Sequence, residues 1–192
     1  MKRLSYLVRI LTVTPIMAGA LLVILFLDDP DIFSGTRYFV LSLIFLTVLP
    51  LLAYPLQPIC PHYKDKGRSG QRSLAMVFAT AGYILGCVCG LFFSFTGALW
   101  LIYLDYLLCG AAIVGINKLL HWKISAHTCG VVGPSLLLFY FHQPVWGALG
   151  LLLTLPVILS SLRMKRHTLP QLLCGALVAG GVLLLLHLLP IA

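Results

Sequence analysis

Residues 123–141 read KISAHTCGVVGPSLLLFYF. A lysine, a serine and a histidine stand immediately before an apolar run of about fifteen residues, short of the roughly 20 that a helix needs to cross about 30 Å of hydrocarbon. How this stretch is read decides whether the chain crosses a bilayer six or seven times. It also decides whether the polar residues on either side of it share a leaflet. A second phrase of the same flavour, KRHTLPQ, follows at 165–171, again just before a long apolar segment.

That a bilayer is involved follows from composition. Of 192 residues 60% are hydrophobic and only 9% charged, with a mean hydropathy of +1.04, far from a soluble globular chain. The class expected is an all-α polytopic bundle. Apolar segments long enough to span lie near 6–27, 38–59, 74–95, 97–119, 144–161 and 169–190. The stretch 127–141 reads as a short or tilted helix, giving six or seven spans. Lys2 and Arg3 before an apolar core imitate a secretion signal, but the run is longer than a usual signal core and no small-x-small cleavage site follows, so it reads as an anchor. Prolines 50, 55, 58 and 61 crowd the end of the second span, where they are expected to bend or end the helix. Residues 1–61 are taken as a two-helix membrane anchor and 62–192 as the transmembrane core.

Charge tests the topology. With seven crossings, every Lys and Arg except Arg37 falls on one side: Lys2, Arg3 and Arg9, then Lys64, Lys66, Arg68 and Arg72, then Lys118 and Lys123, then Arg163, Lys165 and Arg166. Arg37 shares the other side with Asp28, Asp29 and Asp31. The positive-inside rule then places the basic loops in the cytoplasm, in a plasma or inner membrane. The net charge of +8 comes in short clusters without interleaved aromatics, which argues against nucleic acid.

All three richly polar segments, 62–73, 121–128 and 163–171, are expected on that one side, and only Asp65 among them is acidic. Such an excess of bases calls for an anion. Both His127 and His167 precede or open an apolar helix, where free backbone N–H groups favour a phosphate-like ligand. A phosphate ester with a lipid tail satisfies both the charge and the bilayer.

The order of these phrases resembles the type-2 phosphatidic acid phosphatase superfamily of membrane lipid phosphatases, whose helical core is shared with the vanadium haloperoxidases. That family has Lys, six residues, Arg-Pro; then Pro-Ser-Gly-His; then Ser-Arg, five residues, His, three residues, Asp. Here KGRSGQRS offers Lys66 and Arg72, ISAHT offers Ser125 and His127, and SSLRMKRHTLPQ offers Ser160 and His167. The departures are Ser73 for Pro, five residues instead of six between Lys66 and Arg72, Ile124 and Ala126 for Pro and Gly, Ser161 for Arg, and Gln171 for Asp. Arg163 lies two residues beyond Ser161 and is a substitute for the missing guanidinium.

What the resemblance implies is phosphoryl transfer through histidine. His167 would be the nucleophile and His127 the general acid and base, with Lys66, Arg72, Ser125, Arg163 and Arg166 holding phosphate oxygens. Gln171 can accept the ring N–H of His167 and fix its tautomer, but brings no negative charge. No metal and no cofactor enter this chemistry. The substrate class would be a lipid phosphomonoester or diphosphate, of polyprenyl phosphate or phosphatidate type.

Blander readings stand beside these. His62, His121, His142 and His187 read as interfacial polar residues, and Lys2, Arg3 and Arg9 as topology or headgroup contacts. Asp105, in the middle of a span, needs a partner, a base or a tyrosine such as Tyr103 or Tyr106. The six cysteines read as small buried side chains. Two other functions compete with the phosphatase: a catalytically weakened relative retained as a lipid-binding or accessory subunit, with a membrane-protein partner or a further copy of itself, and a small transporter using the basic pocket for anion recognition.

Overall fold

The computed structural model describes residues 2–189, with side chains from Ser5 onward, and the stretch that opened the sequence lies at its centre. Helix α7 (Ala126–Tyr140) is short, 15 residues, about 22 Å at 1.5 Å per residue. It need not match the bilayer because its flanks face protein: Thr128 through Ser135 are all buried, and the helix is apolar all round. Packed around it are α2 (Thr14–Asp28), α6 (Gly97–Leu119), α8 (Pro144–Arg163) and α9 (Leu169–His187). Small residues permit the close approach. A Cβ on Gly130 would run into Thr14 of α2, and one on Gly150 of α8 into Ser135.

Five helical segments are long and apolar enough to cross a membrane: Thr36–Ile59, Lys64–Phe92, Gly97–Leu119, Pro144–Arg163 and Leu169–His187. The chain is therefore an all-α membrane protein. Helices α1 (Lys2–Leu11) and α2 are together long and apolar enough for a sixth, but they are bent by 49° where one straight span was expected. Pro15 explains the break. Its ring would clash with the carbonyl of Leu11, four residues back, so α1 stops there, and Pro15 falls in the first turn of α2 where a missing N–H is harmless.

The second span behaves differently from its proline count. Helix α3 (Thr36–Leu43) passes through a π turn at Ile44–Val48 into α4 (Leu49–Leu56), continuing past Pro50 and Pro55 and ending only at Ile59. The wider turn relieves the clash that Pro50 would impose on Leu46. Gly82 of α5 (Gly67–Phe92) packs against the carbonyl of Phe45 in that turn.

The largest core lies toward the other end of α7. Phe26, Phe33 and Phe39 stack and tilt on one another, and Phe95 lies between Tyr38 and Tyr103. Tyr103 donates to Ser42 Oγ (3.2 Å), so it is not the partner of Asp105. That carboxyl is buried beside Gly133 with one oxygen unpartnered, as is the hydroxyl of Tyr106. The six cysteines are free, with Cys109 and Cys129 buried and the others half-buried.

Candidate functional site

Two helix starts meet at the basic end of the bundle. Ser125 caps α7: its Oγ accepts from Thr128 N (3.2 Å) and Thr128 Oγ1 (3.0 Å). At the start of α9, Gln171 Oε1 reaches back to accept from Thr168 N (3.0 Å), one half of a capping box. Ser125 N then donates to the carbonyl of Gln171 (3.0 Å), joining the two starts backbone to backbone. Gly175, one turn beyond Gln171, makes this possible, since a Cβ there would strike the Ser125 carbonyl.

Helix α8 delivers the other side. It ends in a reversal in which Arg166 N donates to Ser161 O (3.0 Å) and Lys165 N to Leu162 O (2.9 Å). Lys165 occupies the left-handed region at φ 51°, the position such a helix end usually gives to glycine. The turn carries His167 back toward the start of α7, where His127 is the second residue. The two imidazoles are close enough for their charges to repel.

A basic ring surrounds them, and part of it comes from the first helix. Arg9 Nη1 donates to Ser161 Oγ (2.6 Å), and its charge is within reach of Arg68, Arg72, Tyr54 and His127. Arg68 and Arg72 are four residues apart and so share one face at the start of α5. Arg72 and the Lys123 ammonium also act on His167. Burial first, and then Arg72, push the His167 imidazole below its ordinary value, while the Lys123 carbonyl and the Gln171 side chain pull it the other way. Among the described residues, Arg9 Nε, Arg166 Nε and His167 Nδ1 are buried without a hydrogen-bond partner.

The tautomer of His127 is tied to its neighbour. Thr12 Oγ1 lies 2.7 Å from Val8 O and 2.9 Å from His127 Nε2. With its proton on Val8 O the hydroxyl accepts from a protonated Nε2, and with it turned to the ring the hydroxyl donates to an unprotonated Nε2.

The candidate residues divide accordingly. His167 acts on His127, and Arg72 on His167, while Arg166 adjoins His167 in sequence with its Nε buried. Ser125 is fully buried, with its hydroxyl oxygen engaged in the cap. Gln171 makes its hydrogen bond to Thr168 N and lies beside the His167 ring without satisfying Nδ1. The Lys66 ammonium is 3.1 Å from His62 Nε2 and rests over Tyr63, and it is not among the groups that act on His127 or His167. Arg163 is exposed in the last turn of α8.

Arg9, Thr12 and Arg68 are the residues that sequence reasoning missed. The headgroup reading of Arg9 does not hold, because its side chain turns inward to Ser161. For Lys2 and Arg3 the question lies outside the described side chains. A signal for Arg9 was present in the spacing. Ser5, Arg9 and Thr12 share one face of a helix, with Tyr6, Leu7, Ile10 and Leu11 on the other. Ser5 and Thr12 are buried while Tyr6, Leu7, Ile10 and Leu11 are exposed, so α1 turns its polar face to the protein and its apolar face outward. Compared with known proteins, the chain matches no family model, no curated protein and no solved structure.

Proposed function

We propose that this protein is an integral membrane phosphatase that cleaves a lipid phosphomonoester or diphosphate through a phosphohistidine on His167. One observation carries the reading. Arg68 and Arg72 act on Arg9, Arg9 and His167 on His127, and Arg72 and Lys123 on His167, and among the described residues no carboxylate is one of the groups acting on Arg9, His127 or His167. A cationic cluster of this kind at a membrane edge is satisfied by a phosphoryl anion.

In the proposed reaction a ring nitrogen of His167 attacks phosphorus and the ester P–O bond breaks. The leaving alkoxide takes a proton from His127. A water then attacks phosphorus, His127 accepts its proton, the N–P bond breaks and inorganic phosphate leaves. His167 is suited to the attack because burial and Arg72 favour its neutral form. The dianionic substrate supplies the negative charge that the site lacks, and so favours the protonated His127 needed for the first step.

A second reading, a lipid-binding or accessory subunit, is favoured by the state of His167 Nδ1, which is buried without a hydrogen-bond partner among the described residues, and by Gln171, which brings no negative charge to the ring beside it. Purified protein in detergent, offered phosphatidate and a polyprenyl phosphate, separates the two. Release of phosphate that disappears in His167→Ala supports the enzyme. No release from either lipid, together with a stoichiometric partner that copurifies, supports the accessory role. The site is assigned to the cytoplasmic face by the positive-inside rule, which cysteine labelling of the loop at 62–73 from either side of the membrane tests.

A further inference from the structure

Ser161 stands where the resemblance expects an arginine, and the structure fills that place from elsewhere in the chain. The Arg9 guanidinium reaches across from α1 and donates to Ser161 Oγ (2.6 Å). We propose that Arg9 is a phosphate ligand replacing the guanidinium missing at Ser161, so that α1 is a wall of the binding site as well as a membrane element. The inference rests on the phosphoryl-anion reading of the site and extends it to a residue outside the three phrases.

Four observations converge. A single Nη1 bond to a hydroxyl uses little of a guanidinium that carries five N–H donors, and Arg9 Nε is buried with no partner. The groups in electrostatic reach of Arg9 are Arg68, Arg72, His127 and Tyr54, with no carboxylate among them in the described residues. A guanidinium held among other cations is favoured by an anion that joins it. The alternative, a guanidinium extended into lipid headgroups, was open to this residue but is not what the fold does: α1 faces outward with Tyr6, Leu7, Ile10 and Leu11 and inward with Ser5, Arg9 and Thr12. Thr12, one turn along, touches His127. The same face of α1 thus holds one residue at the phosphate and one at the general acid.

The test uses the full chain in detergent and follows thermal protection by inorganic phosphate and, separately, by short-chain phosphatidate, which distinguishes a free phosphate from a lipid headgroup. Both should protect the wild type, phosphatidate at lower concentration because its tail adds contacts. Arg9→Gln should weaken both by roughly 10- to 100-fold, as loss of a charge-assisted contact does, and Arg9→Gln combined with Ser161→Arg should recover most of the loss. Should Arg9→Gln not fold, Ser161→Ala decides the matter, since it frees Arg9 from its anchor without altering charge: weakening of about tenfold is expected if Arg9 is a ligand. The inference is overturned if Arg9→Gln or Ser161→Ala titrates like wild type while Arg72→Gln and His167→Ala lose protection. In that case the anion site survives without Arg9. If neither compound protects the wild type, the anion reading itself falls.

Discussion

The contact between Gly175 and the Ser125 carbonyl can be tested with one methyl group. In Gly175→Ala the new Cβ meets a backbone oxygen, which cannot rotate away as a side chain would. Overpacking of this kind costs about 1–3 kcal/mol, and separating the helix starts also loses the Ser125 N to Gln171 O bond, about 1 kcal/mol. Replacing a helical glycine by alanine returns about 0.5–1 kcal/mol. The net destabilisation is therefore about 1–3 kcal/mol by these terms. Gly181 is the internal control. It lies on the same helix with nothing within 4 Å of its added Cβ, so Gly181→Ala should be neutral or stabilising by up to about 1 kcal/mol. Thermal unfolding of both variants in one detergent gives the comparison. Because the joined starts set the spacing of His127 and His167, phosphate release should fall much further than stability, on the order of 100-fold for a displacement of about 1 Å. If Gly175→Ala melts together with Gly181→Ala, the two helix starts are not held as described and the geometry of the site loses its basis.

His167 makes stability depend on pH in a definite direction. Its folded value lies below the ordinary 6.5, so the unfolded chain binds the proton more readily. Its contribution is present above about pH 6.5 and is lost as pH falls through the depressed folded value. His167→Asn should flatten the acid limb of a melting-temperature profile, and an unchanged limb would contradict the assigned environment. Gln171→Glu keeps the length of the capping side chain and adds charge beside His167, so the histidine's titration, followed by NMR, should move upward; no movement would show that position 171 does not reach the ring. Thr12→Val removes the hydroxyl that pairs with His127 Nε2 at constant shape. We expect a loss of activity of about tenfold, with stability changed by no more than about 1 kcal/mol, the scale of one hydrogen bond. Lys165→Gly relieves a left-handed lysine and should raise stability by about 1 kcal/mol; a lower melting temperature would contradict that strain.

Most of the architecture was legible before any coordinates, because lipid imposes a strong and simple rule: uninterrupted apolar runs must be helices, as their backbone groups can only pair within the segment. The runs at 97–119, 144–161 and 169–190 reappear almost unchanged as Gly97–Leu119, Pro144–Arg163 and Leu169–His187. Local chemistry was also readable, from the helix starts at His127 and His167 to the basic clusters between spans, though the capping roles of Ser125 and Thr168 emerged only from the structure. Proline was a poorer guide, since the same residue type broke the first span at Pro15 and was absorbed by a π turn before Pro50.

Sequence by itself therefore determined the class, the approximate spans and the gathering of bases on one side, all consequences of hydropathy and local propensity along a single segment. Only the tertiary structure decided which bases meet. Arg9 is separated from Ser161 by 152 positions and from His127 by 118, yet its guanidinium reaches Ser161 Oγ and acts on the His127 charge. Lys66, close in sequence to Arg72, turns instead to His62. Side-chain direction across helices depends on how each helix is rotated and how closely small residues let it approach, and neither quantity is encoded within the segment that carries the side chain.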